Sequence, residues 1–145
     1  MTSSQQLPKS ERINSKKLID RLFKGGGAKS MSAFPLRVVF MTEDGDAHEP
    51  LAQMMVSVPK RFFKRAVKRN LVKRLVREAY RRNKQVLIDT LQTVEQRKTL
   101  SLCFIWTDNN LRSYEDVERK TANLLQRIAE KIGKDMAEEA ENVEQ

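Results

Sequence analysis

"KRAVKRNLVKRLVREAYRRNK", residues 64–84, is too basic to be buried and too regularly apolar to be a tail. Wound at about 100° per residue, it places Val72, Leu75, Val76, Ala79 and Tyr80 on one face, and Val86 and Leu87 continue that face beyond it. Asn70, Lys73, Arg74, Arg77, Arg81 and Lys84 share the opposite face. The spacing predicts one long helix from residue 64 to about residue 91. Its apolar side can pack on a sheet, which would hold the basic side out in water as a rigid comb of charge.

The flanking sequence supplies the sheet. Residues 35–42, "PLRVVFMT", are β-branched and aromatic and read as a strand. The loop "EDGDAHEP" carries turn chemistry at Asp44 and Gly45, and "AQMMVSV", residues 52–58, reads as the second strand of a hairpin. "TLSLCFIW", residues 99–106, is nearly continuous in apolar residues, as expected of a buried strand. Residues 15–23, "SKKLIDRLF", have helical spacing at Leu18, Ile19, Leu22 and Phe23, with Ser15 as N-cap and a stop at Gly25, Gly26 and Gly27. Ser113 and Asp116 open a last helix in the manner of a capping box, followed by a stripe of Val117, Thr121, Leu124, Leu125, Ile128 and Ile132. The order is α-β-β-α-β-α, with a further short edge strand near residues 28–32. It predicts an α+β fold, an α/β sandwich with one small, mostly antiparallel sheet and helices packed on it. Residues 1–8 read as a flexible arm, 9–133 as the domain, and the acidic stretch 134–145 as a disordered tail.

Composition narrows the partner. The chain has 145 residues, 28 Lys and Arg against 19 Asp and Glu, and a net charge of +9. Between residues 60 and 84 only Glu78 is acidic, so this segment holds more positive charge than the whole chain shows net. A solvated helical face normally mixes signs, because like charges one turn apart repel while Glu–Lys pairs support the helix. A membrane-surface helix needs bulky apolar residues free for lipid, and here the core requires them. A phosphate backbone fits better, since arginine grips phosphate oxygens through two bonds and releases counterions in doing so. A face of Lys and Arg with one amide, Asn70, suits backbone and shape recognition more than base reading, as A-form RNA demands.

Other functions find little support. One cysteine, Cys103, forms no internal disulfide and reads as a small core residue. One histidine, His48, lies in a loop beside Asp46 and Glu49 with no acid/base partner elsewhere. No zinc-ligand spacing or Gly-rich phosphate loop is present, so neither catalytic nor metal-binding residues are expected. No apolar run approaches the roughly 18–20 residues that span a bilayer, and the N-terminal residues lack the apolar core of a signal peptide. A cytoplasmic protein without a small-molecule substrate is the expectation.

"SVPKRFFKRAVKRNLVKRLVREAYR", residues 57–81, closely resembles the RNR signature of the bacterial ribonuclease P protein family. Ala66, Val67, Arg69, Asn70, Lys73, Arg74, Arg77 and Glu78 occupy the matching places, while the third motif position, usually Arg, is Leu71. The opening helix with Phe23 before the glycines, and the last strand and helix, extend the likeness over residues 7–132. Ile19 stands where many members have a second Phe. The resemblance implies a cytoplasmic ribonucleoprotein subunit that helps remove the 5′ leader from precursor tRNA. The RNA subunit would carry the chemistry with bound Mg2+, and the isolated protein would be inactive. It implies a left-handed crossover around the basic helix, where connection rules alone favour a right-handed one. It also implies contact with the catalytic RNA through Lys64, Arg65, Lys68, Arg69, Asn70, Lys73, Arg74, Arg77 and Arg81. The single-stranded leader would lie in a cleft at Ile19, Phe23, Phe40 and Lys60. From the residues alone, Phe23 and Phe40 fit a core as well as a cleft. A generic structured-RNA-binding module or a DNA-reading regulator would share the charge pattern.

Overall fold

The computed structural model describes residues 6–94 and 96–144. It contains one four-stranded sheet of β1 (Lys29–Ala33), β2 (Leu36–Asp44), β3 (Ala52–Ser57) and β4 (Lys98–Trp106), in the order β1-β2-β4-β3. β1 and β2 form the antiparallel hairpin, β2 pairs antiparallel with β4, and β3 lies parallel to β4. The hairpin expected between residues 35–42 and 52–58 is therefore not formed. The continuous apolar run of β4 takes the central place between them, where both of its faces are covered, and β3 moves to the far edge.

Four α-helices complete the fold: α1 (Lys16–Lys24), α2 (Ala66–Asn83), α3 (Gln85–Gln92) and α4 (Tyr114–Glu144). The single helix expected from residue 64 is two helices, with Lys84 between them as the C-cap of one and the N-cap of the next. Ser15 caps α1, its Oγ accepting from the Leu18 amide at 3.4 Å, and Gly26 follows the helix with φ of 78°, a backbone that glycine adopts without strain. Ser113 caps α4 by accepting from the Asp116 amide at 3.2 Å.

Alternation along the strands divides the core in two. Leu36, Val38 and Phe40 of β2, Met54 and Val56 of β3, and Leu102, Phe104 and Trp106 of β4 meet Val72, Val76, Ala79 and Tyr80 of α2, Leu87 of α3, and Val117, Leu124, Leu125 and Ile128 of α4. Each Val, Leu, Ile, Phe or Met among them is worth about 1.5–3 kcal/mol when fully buried, so this layer fixes the basic helix to the sheet. The second, smaller cluster lies on the opposite face, where Ile13, Leu18 and Leu22 cover Val39, Met41 and Cys103.

Both ends of the chain depart from expectation. Of the arm expected over residues 1–8, residues 1–5 lie outside the described residues, but Leu7 is buried in the main core. Beyond it, Arg12 bridges Met54 on the free edge of β3 and the Ile13 amide donates to the Met54 carbonyl at 2.9 Å. At the other end α4 continues past Gly133 to Glu144, where a disordered tail was expected; residue 145 lies outside the described residues. The sequence there is rich in Ala and Glu, good helix formers. Met136 packs on the core, and Lys29 pairs with Asp135 at 2.5 Å.

Candidate nucleic-acid interface

The basic residues nominated from the sequence occupy α2 and the turn that enters it. In that turn the Phe62 amide donates to the Pro59 carbonyl at 3.1 Å, and Phe63 is buried. Arg61 lies over the Phe62 ring, 4.9 Å from its centroid. These contacts give a compact platform on which Lys60, Lys64 and Arg65 are exposed. Lys68, Asn70 and Arg74 are exposed along α2, and Lys73, Arg77 and Arg81 are half-buried. Among the described residues, Lys60, Lys64, Arg65, Lys68, Lys73, Arg74 and Arg77 have no ion-pair partner.

Two nominated residues stand apart. Arg69 lies at the half-buried margin of α2, and its Nη1 donates to the carbonyls of Phe63 at 2.7 Å and Lys64 at 2.8 Å. It ties the helix to its entry turn. Arg81 grips Glu78 with two bonds, of 3.0 and 2.6 Å. That bond, outweighing burial, holds the Glu78 carboxyl below its usual pKa and the Arg81 guanidinium above its own. Nearby, Arg82 reaches Glu118 and lies over the Tyr114 ring, and Lys84 pairs with Glu11 at 2.6 Å. The last turn of α2 is thus committed to the protein itself.

On the other side of the sheet, the strand registers align Arg37, Ile105 and Ser57 as one row, and Val39, Cys103 and Met55 as the next. α1 covers Val39 and Cys103, while Arg37 is exposed and Ile105, Met55 and Ser57 are half-buried. An open strip of sheet therefore remains beside α1. Phe23, 49% exposed at the end of α1, is free to serve as a stacking surface, and Ile19 packs half-buried against the same cluster. Lys60 follows the C-terminal end of β3, where the row that contains Ser57 lies. Phe40 does not belong to this strip. It is 3% exposed and packs in the main core on the opposite face, because its neighbours Val39 and Met41 are the residues of β2 that face α1.

Arg37, Ile105 and Met55 were not nominated. Alternation along β2 puts Arg37 on one face with Val39 and Met41, but both faces of that strand carry apolar residues, so pattern alone does not say which one meets α1. Arg12 was also missed, for its signal is long-range: it comes to lie close enough to Arg77 for its charge to act there. The Arg77 guanidinium is held below its ordinary pKa by burial, then by the positive charges of Arg12 and Arg74. Cys103 is buried, and burial pushes its thiol up to about 12, which keeps it unreactive. His48 is exposed in its loop, its amide bonded to Asp46 at 2.8 Å. Among the described residues, no three His, Cys, Asp or Glu side chains come together to hold an ion, and no helix is long and apolar enough to cross a membrane.

Comparison with known proteins gives the family and the fold. The family described as Ribonuclease P matches residues 7–129. A ribonuclease P protein component of Porphyromonas gingivalis is 44% identical over 124 residues, covering 85% of this chain and 86% of that protein. One from Chlorobium phaeobacteroides is 37% identical over 83 residues, 56% of each chain. Among solved structures, the RNase P protein from Thermotoga maritima superposes with a TM-score of 0.61 at 25% identity, over 81% of this chain and 96% of that one. A Staphylococcus aureus RNase P protein shares the fold at a TM-score of 0.58 and 18% identity, over 84% and 90% of the two chains. A basic helix anchored on a four-stranded sheet, with a partly open strip behind it, is thus carried by a chain that belongs to the ribonuclease P protein family.

Proposed function

We propose that this chain binds the catalytic RNA of ribonuclease P through the basic face of α2 and its entry turn, and holds the single-stranded leader of precursor tRNA on the open strip beside α1. Family membership makes the chain a subunit of a tRNA-processing ribonucleoprotein. The observation that carries the binding surface is the run of cations from Lys60 to Arg77 without acidic partners among the described residues, on a helix that the core holds rigid. Uncompensated guanidinium and ammonium groups at fixed spacing favour phosphates and make binding salt-dependent. Phe23 offers a base an aromatic face, worth roughly 1–3 kcal/mol per stacked base, and Arg37 adds a charge at the same strip.

The chemistry is assigned to the RNA subunit with its Mg2+. The side chains described here do not fit a protein-held metal, and none forms a nucleophile–base pair. The protein's part is to bind, orient and neutralise, in the cytoplasm. Adding the purified chain to a ribonuclease P RNA at low magnesium should stimulate removal of the leader from precursor tRNA. The chain without RNA should cleave nothing. Binding of structured RNA without stimulation would instead indicate a general RNA-binding module. Phe23→Ala should weaken binding of leader-bearing tRNA while barely changing mature tRNA, with an unchanged melting temperature, because the ring is half exposed. A folded variant that keeps the wild-type preference for leader-bearing tRNA would remove Phe23 from the leader path.

A further inference from the structure

We propose that α4 beyond residue 129, where the family match ends, is a brace. Through Asp135 it holds Lys29 at the start of β1, and so fixes the far end of the glycine joint that carries α1. Its effect on leader binding rests on the reading of the strip beside α1 as the leader site. α4 runs on to Glu144, about four turns past that match. In this extension Asp135 accepts from Lys29 Nζ at 2.5 Å and pairs with Lys131 at 3.2 Å, and the adjacent Met136 packs on the main core. Earlier on the helix Arg127 Nη1 donates to the Ser32 carbonyl at 2.9 Å. β1 is therefore tied to α4 near both of its ends. It is an edge strand of five residues, paired only with β2, and offers the core only the half-buried Met31 and Ala33. A strand with so little apolar burial gains little from its own side chains.

Between α1 and β1 lie Gly25, Gly26, Gly27 and Ala28. The space beside Gly26 and Gly27 is open. A cavity of about 320 Å3 separates this joint from the extension, with Gly27, Lys29 and Met41 on one side and Asp135 and Met136 on the other. The joint itself is thus free to bend, and what limits it is the anchoring of its ends. At one end Leu18 and Leu22 seat α1 on the sheet, and Arg21 pairs with Glu43 at 3.0 Å. At the other end Asp135 seats Lys29. Releasing Lys29 lengthens the flexible segment, and a longer loop costs more entropy to hold closed. α1, with Phe23, would then lie over the strip for less of the time, and a less preorganised site binds less tightly.

The test assembles the full chain with a transcribed ribonuclease P RNA and compares affinity for leader-bearing and mature tRNA in wild type, Lys29→Glu, Asp135→Lys and the double exchange. Each single change should lower the preference for leader-bearing tRNA by up to about fivefold, the scale that a half-exposed ion pair can move. The double exchange restores an ion pair of reversed sign and should recover the preference. In the RNA-free protein, amide hydrogen exchange should quicken over residues 26–32 in each single variant, return in the double exchange, and stay slow in α2 throughout. A loss in Lys29→Glu that the double exchange does not repair would make Lys29 a direct RNA contact and end the proposal. Quickened exchange in α2 as well would make the pair a part of core stability rather than a brace, with the same consequence. An unchanged preference in both single variants, beside a clear one in wild type, would overturn the brace and leave the leader reading standing. A wild type that does not prefer leader-bearing tRNA would overturn the leader reading and the brace's effect together.

Discussion

The first and last turns of α2 are equally rich in arginine and lysine, yet they spend that charge in different ways. From the entry turn to Arg77 the cations face no acid among the described residues. From Glu78 onward Arg81, Arg82 and Lys84 each reach a carboxylate, on Glu78, Glu118 or Glu11. The difference is where the helix meets its neighbours. Its C-terminal turn packs beside the start of α4 and the N-terminal segment, and charge at such a junction has to be neutralised. Its N-terminal part packs on the core through Val72 and Val76, and its basic side chains meet no carboxylate among the described residues, so charge there stays available to a partner. Charge density in a sequence therefore overstates the size of a binding surface, and the pairing pattern trims it.

The largest effect should come from the free end. Changing both Arg74 and Arg77 to Ala should make the salt slope of RNA binding shallower by about two contacts while leaving the fold intact. Neither side chain belongs to the core that Val72, Val76 and Tyr80 build. An unchanged slope, measured by filter binding or fluorescence across salt, would break the comparison, since the unpaired cations would then not be meeting phosphate.

Much of this architecture was legible in the sequence, for identifiable reasons. The periodicity that put Val72, Val76 and Ala79 on one face is local, and the structure buries those residues. The stripe on α4 and the caps at Ser15 and Ser113 are likewise local signals. Strand order was not legible, because pairing between residues 35–42 and 52–58 and pairing of both with residues 99–106 satisfy the same alternation. The break at Lys84 was missed because the apolar face runs on through Leu87. In the candidate site, sequence reading found the cations but could not tell free from paired ones, since Glu118 and Glu11 lie far away along the chain. Phe40 and Arg37 could not be sorted while the α1 side of β2 was unknown.

Arg69 sharpens the comparison from within the free end. Motif position alone groups it with the RNA contacts, but its guanidinium is engaged by the Phe63 and Lys64 carbonyls. Arg69→Ala should lower stability by about 1 kcal/mol, the usual net worth of such bonds, as read by denaturant unfolding. Its effect on RNA binding should arise through a looser entry turn, so Lys64→Ala should cost less in the Arg69→Ala background than alone. Strict additivity of the two losses would instead make Arg69 an independent contact, and Lys68→Ala, a neighbour with no partner among the described residues, supplies the additive control.

The smallest change is expected at the paired end. Arg81→Gln should leave the salt slope of RNA binding where it is, because the Arg81 charge is already matched by Glu78 at 2.6 Å. The reciprocal change tests the reason. Glu78→Gln frees Arg81 and removes the carboxylate that Arg82 approaches at 3.8 Å, so the slope should steepen by up to about one contact. The same pairing fixes a pH dependence. The Glu78 carboxyl is held below its ordinary 4.5, chiefly by the Arg81 bond, so its contribution to stability is complete above that value and disappears as the pH falls further, through the lowered pKa. Wild type should therefore lose stability over that acid range more steeply than Glu78→Gln, which has no such group to protonate. If Arg81→Gln instead cost a full contact in the salt titration, Arg81 would have to leave Glu78 on binding. The paired end would then act as a reserve of charge that RNA draws out.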